Sequence, residues 1–220
     1  MNRFKLLRLV FPFILMAIPF AYLAYIWADL PQKIPTHFDL NGLPDKFGNK
    51  PEIFVLTIIL AAVGIVIYFL LQNIHRVDPK KKYAYSTLSV MIKLSVLVIL
   101  LLTFVSIIII YSTLKGKITT IPFMFCGISI FLAFIGNLMH SIKPNYFAGI
   151  RVPWTLENED NWRQTHQLAS KIWFAGGLTL AVLSLLLKLK ILIFVFLAAV
   201  VIMGLVPVIY SYLLYKKTVK

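Results

Sequence analysis

Apolar residues in this chain do not alternate with polar ones. They gather into six long runs, over residues 9–27, 53–71, 94–111, 121–139, 172–187 and 191–215. A bilayer core about 30 Å thick takes about 20 apolar residues per helical crossing, and each run approaches or exceeds that length. The pattern predicts six spanning helices. The fifth run is short in apolar residues, and the spacer Lys188-Leu189-Lys190 makes runs five and six a tight helical hairpin, with a single long span as the competing parse. Composition agrees: the chain is 60% hydrophobic and 14% charged, more apolar surface than one soluble core can hide. The expected fold class is all-α, a polytopic transmembrane bundle.

Basic residues orient the bundle, because Lys and Arg flanking short loops stay on the side of synthesis. Arg3, Lys5 and Arg8, then Arg76 and Lys80 to Lys82, then Lys143, Arg151, Arg163 and Lys171, then Lys216, Lys217 and Lys220 occupy one alternating set of segments. They outnumber Lys33, Lys46, Lys50, Lys115, Lys117, Lys188 and Lys190 on the other set. Both termini are therefore expected inside. Lys93, near the inner end of span three, is expected to snorkel to the interface. The net charge of +14 is dispersed instead of forming one stripe, which points to anionic lipid and away from direct nucleic-acid binding. The basic start followed by an apolar run lacks a small-x-small cleavage site and reads as an uncleaved first span. The lone Cys126 falls within a span, so no intrachain disulfide forms.

Three segments follow: a two-span module over 1–72 with a Pro-rich outer loop at 28–52, a basic inner loop with the third span over 73–120, and a three-span module over 121–220 with an inner loop at 140–171. In the outer loop, Pro31, Pro35, Pro44 and Pro51 fix φ and Asn41-Gly42 supplies a turn. Its His37, Asp39 and Asp45 are donors of the type that ligate divalent metals, but their loose spacing favours hydrogen bonding to turns.

The inner loop is richer in unusual residues. Lys143-Pro144-Asn145 and Gly149 read as turns, and Thr155 is the expected N-cap of a helix running from Leu156 into span five, with Glu157, Glu159 and Asp160 favoured by its dipole. Trp162, His166, Ala169 and Trp173 then share one helix face. Two readings stay open. One is an interfacial aromatic belt with His166 bonded to a neighbouring loop; the other is a pocket between this face, the 143–154 turn and Asn137. Chemistry offers little more. Lys143 and Arg151 could grip a phosphate and His166 act as general base in a lipid-modifying enzyme, yet no nucleophile–base pair, phosphate cradle or cofactor motif is visible. A small transporter is the other alternative, with Pro19 and Pro207 as candidate kinks.

The run Leu30-Pro31 … Ile34-Pro35-Thr36-His37-Phe38 … Gly42 … Pro44-Asp45 resembles a bacterial membrane domain of uncharacterised function that often precedes SdpI-like sequences. Gly136-Asn137 … Lys143-Pro144-Asn145 … Gly149-Ile150-Arg151 … Pro153-Trp154-Thr155-Leu156 … Trp162 … Thr165-His166 … Trp173 resembles the SdpI family itself. The resemblance implies a bacterial cytoplasmic-membrane protein giving immunity to a secreted, membrane-active peptide toxin. In the family's founding member it extends to sequestering a cytoplasmic repressor. The candidate inner site is then Asn137, Lys143, Asn145, Arg151, Trp154, Thr155, Trp162, Thr165 and His166, and the candidate outer site His37, Asp39 and Asp45.

Overall fold

The computed structural model describes residues 3–39, 43–79, 81–116 and 120–218. The Asn41-Gly42 turn, Lys80 and Lys117 lie outside them. Seven α-helices and one β-hairpin are described: α1 (Arg3–Tyr25), β1 (Lys33–Phe38), β2 (Pro44–Asn49), α2 (Glu52–Asn73), α3 (Ala84–Lys115), α4 (Ile121–Met139), α5 (Pro153–Glu157), α6 (Glu159–Leu186) and α7 (Leu189–Thr218). All but α5 are long and apolar enough to cross a membrane. The chain breaks at Leu187, whose extended backbone ends α6, so the last two apolar runs are two helices and not one.

Small residues bring α4 and α6 together. A Cβ on Gly177 would stand 2.5 Å from the backbone nitrogen of Ala133, and one on Gly136 would stand 2.4 Å from that of Phe174. In lipid there is little hydrophobic drive between helices, so close backbone approach through Gly, Ala and Ser supplies the packing energy. Ser129, Ala133, Ala169, Ala181 and Ser184 are buried along the same two helices. The other helices meet through larger side chains, with Met16, Ala61, Tyr68 and Ile99 joining α1, α2 and α3 in mid-bundle.

The Pro-rich 28–52 loop is more regular than its prolines suggest. β1 and β2 pair antiparallel, Lys33 opposite Asn49 through Phe38 opposite Pro44, with irregularities on either side of His37. Proline lacks a ladder donor and argues against a strand, but the edges of a two-stranded hairpin can host it. Ile34 anchors the hairpin by packing among Leu23, Ile26, Leu30, Ile53 and Ile110. Lys50 is nearly buried with its ammonium 4.8 Å from the Trp27 ring centre, a cation–π contact that offsets its desolvation. The hairpin caps one end of the bundle, and the 140–158 connection closes the other.

Candidate functional site

At the loop end, residues 140–152 have no regular secondary structure, so their backbone polar groups need partners other than a helix ladder. Asn145, wholly buried, supplies four bonds. Its Oδ1 accepts from the backbone N–H groups of Phe147 (2.8 Å) and Ala148 (2.7 Å), and its Nδ2 donates to the carbonyls of Lys143 (2.9 Å) and Ala148 (3.1 Å). Thr155, also wholly buried, accepts from Val152 N–H at 3.1 Å, and its hydroxyl lies 2.8 Å from the Ile150 carbonyl.

Thr155 does not cap the helix that enters the membrane. It sits inside the separate short helix α5, and α6 begins one residue after Asn158, whose side chain accepts from Asp160 and Asn161 N–H. Asn158 is extended and its short amide reaches those orphan donors, so the chain resets there instead of running straight from Leu156. Glu157 consequently ends α5, while Glu159 and Asp160 occupy the first turn of α6.

The shared face of Trp162, His166 and Ala169 is closed. Trp162 is 1% exposed, stacks on His166 with ring centres 4.1 Å apart, and donates from Nε1 to the Ile142 carbonyl at 2.8 Å. Trp173 likewise turns into the bundle, donating to the Met203 carbonyl of α7 at 2.8 Å. Neither indole serves as a headgroup-facing belt. His166 Nδ1 lies 2.8 Å from the Trp162 carbonyl and must carry the proton there, while Nε2 accepts from Ile150 N–H at 3.0 Å. Both ring nitrogens are engaged by backbone, so the lone pair a general base would use is occupied. Gly149, at φ 103°, comes so close that a Cβ would fall 2.3 Å from His166 Nε2. The 143–154 turn therefore fills the space that a pocket against this face would occupy.

The remaining candidates at the loop end are scattered. Thr165, wholly buried, bonds Asn161 at 3.1 Å, and Asn161 in turn donates to the Ser211 carbonyl of α7. Trp154 donates to Ser211 Oγ at 2.8 Å and stacks against Tyr215. Arg151 is exposed and donates to the Tyr146 carbonyl at 2.6 Å. Lys143 lines a shallow polar groove with Tyr83, Glu159 and Arg163, beside the Lys82–Glu159 ion pair at 3.1 Å. Asn137 lies elsewhere, exposed on α4 in a groove beside α3. The structure thus joins Asn145, Thr155, Trp162, Thr165 and His166 into one buried scaffold, leaves Lys143 and Arg151 at its surface and sets Asn137 apart from it.

At the hairpin end, His37 Nδ1 and Asp45 Oδ1 are 2.6 Å apart, with side chains 59% and 45% exposed. Asp39 turns to another task, accepting from Leu43 N–H at 2.8 Å to close the hairpin. Among the described residues, no three His, Cys, Asp or Glu side chains are grouped to hold a metal.

What residue types alone did not mark is the space beneath the hairpin. A cavity of about 410 Å³ lies between β1 and helices α2, α3 and α4, walled by Ile34, Phe38, Leu56, Ile109, Ile121 and Met124, with Thr36, Glu52, Ser112, Thr113 and Thr120 supplying polar atoms. Ser112 and Thr120 hydrogen-bond to each other and tie the ends of α3 and α4. Gly116, in the left-handed region at φ 62°, ends α3 by donating to Ser112 and Thr113 carbonyls. The helical walls, Leu56, Ile109, Ile121 and Met124, are ordinary span residues, and only the hairpin, closing over them with Ile34 and Phe38, makes a site.

Comparison with known proteins gives two family matches in the same order. Residues 14–61 match a domain of unknown function, DUF1648, and residues 141–211 match the SdpI/YfhL protein family. The chain is similar to the Immunity protein SdpI of Bacillus subtilis (strain 168), 28% identical over 207 residues that cover 93% of this chain and 94% of that protein. An uncharacterized protein of Archaeoglobus fulgidus is 32% identical over 54 residues, 24% of this chain and 30% of that one. No solved structure matches. With six helices of membrane-crossing length and this likeness, the chain is a multi-pass membrane protein.

Proposed function

We propose, for a chain whose residues 141–211 match the SdpI/YfhL protein family, that it is an immunity protein protecting a bacterial cytoplasmic membrane from a secreted, membrane-active peptide. The observation that carries this reading is the likeness to Immunity protein SdpI along 93% of the chain, not in one module alone. The distribution of basic residues supports both termini inside, with the hairpin outside where such a peptide arrives. The apolar cavity beneath the hairpin suits a hydrophobic peptide segment leaving the lipid, since most of its wall is aliphatic or aromatic. His37 and Asp45 stand on the hairpin that forms its roof, where they would meet polar groups of the same peptide.

Sequestration of a cytoplasmic repressor would require the two ends to share a conformational equilibrium that the peptide biases. α3 supplies a physical link. Its Ile109 lines the cavity, and its Val90 packs with Met139, Ile142 and Trp162 at the loop end. Expression in a bacterium killed by such peptides tests the main proposal: survival should rise, and unchanged killing across a panel of membrane-active peptides contradicts it. Reporter fusions should place 140–158 inside and the hairpin outside; the reverse would overturn the orientation.

A further inference from the structure

Near the loop end, a groove of about 330 Å³ runs between α3 and α4 on the outside of the bundle, lined by Lys93 and Asn137 with Val96, Leu97, Phe134 and Leu138. Both polar side chains are exposed, and among the described residues neither has a hydrogen-bond or ion-pair partner. Their depth follows from neighbours. Lys93 lies one turn beyond Val90, which packs level with Met139 and Ile142, and Asn137 lies two residues before Met139, the last residue of α4. The pair is therefore just inside the end of the bundle, at the boundary between acyl chains and headgroups. An ammonium and an amide facing bare hydrocarbon there are costly.

We propose that this groove binds one anionic phospholipid, Lys93 and Asn137 donating to the headgroup phosphate while the apolar wall carries an acyl chain. Charge complementarity selects this occupant. The groove contains a cation and no acid, and the nearby acids Glu159 and Asp160 are engaged by Lys82 and Arg163. The last turn of α4 carries partial negative charge, so Asn137 alone would not hold an anion and Lys93 sets the sign of the site. The phosphate in turn satisfies both donors, which lets a polar pair stand on a lipid-facing surface.

Native mass spectrometry of the purified full-length chain, offered phosphatidylglycerol and phosphatidylcholine with identical acyl chains, tests the site. The wild-type chain should retain phosphatidylglycerol in about five-fold preference, the amount one lysine near a headgroup contributes. Lys93→Gln should bring the two lipids to parity, Lys93→Arg should keep the preference, and Lys82→Gln, outside the groove, should leave it unchanged. Absence of a preference in the wild-type chain, its survival in Lys93→Gln, or a lipid-free dimer dissolved by Lys93→Gln would overturn the proposal. If Lys93→Gln fails to accumulate, Leu97→Trp fills the groove without altering charge and must abolish the preference; retained preference overturns the site equally.

Discussion

The two ends of this molecule treat polar residues differently. At the loop end Asn145, Thr155, Trp162, Thr165 and His166 are all buried, and their side chains answer the backbone of an irregular segment or neighbours on α6. At the hairpin end His37 and Asp45 remain half-exposed to each other and to solvent, above an apolar cavity. The contrast teaches that a concentration of special residues is not itself a ligand site. A loop dipping against a helix face has many backbone groups to satisfy, and the residues that satisfy them look chemical in a sequence. Capacity for a ligand lies instead where satisfied elements leave space.

Breaking the scaffold should give the largest effects. Trp162→Ala removes a large buried ring and its bond to Ile142, and should lower stability by about 3–5 kcal/mol, read as lost membrane abundance and a lower Tm in detergent. Asn145→Ala orphans the N–H groups of Phe147 and Ala148, at about 1–3 kcal/mol for each buried group, with the same readout. Gly177→Leu should come next, since its side chain would drive into the Ala133 backbone and overpacking costs about 1–3 kcal/mol.

At the hairpin end the expected signature is opposite. Leu56→Trp or Met124→Trp, each filling the cavity, should leave abundance unchanged and reduce protection against the peptide by about ten-fold, equivalent to about 1.4 kcal/mol of lost binding. His37→Ala should be the mildest. An exposed pair contributes less than about 1 kcal/mol to stability, so thermal unfolding should barely move whatever happens to protection.

Much of the architecture was legible because lipid imposes a simple length rule on apolar runs. The six spans, the hairpin of α6 and α7, and the single helix face bearing Trp162 and His166 all follow from run length and helical spacing. The strands were hidden by Pro35 and Pro44, which speak against a strand without showing that two edges suffice. Sequence alone starts α6 too early because Thr155 and Asn158 are both good caps, and only the extended backbone at Asn158 decides between them. Of the candidate residues, type revealed that the loop end was unusual but not that its groups were mutually satisfied. The cavity was invisible for a different reason: Leu56, Ile109 and Met124 are indistinguishable in sequence from lipid-facing neighbours, and their shared space exists only once the hairpin folds over them.

The most direct test of this division is protection per molecule: survival under peptide challenge divided by the amount of chain in the membrane, compared for Met124→Trp and Asn145→Ala. Met124→Trp should keep wild-type abundance and lose protection, and Asn145→Ala should lose abundance and keep wild-type protection per molecule. Full protection by Met124→Trp, together with normally abundant but inactive Asn145→Ala, would contradict that division and move the working site to the loop end.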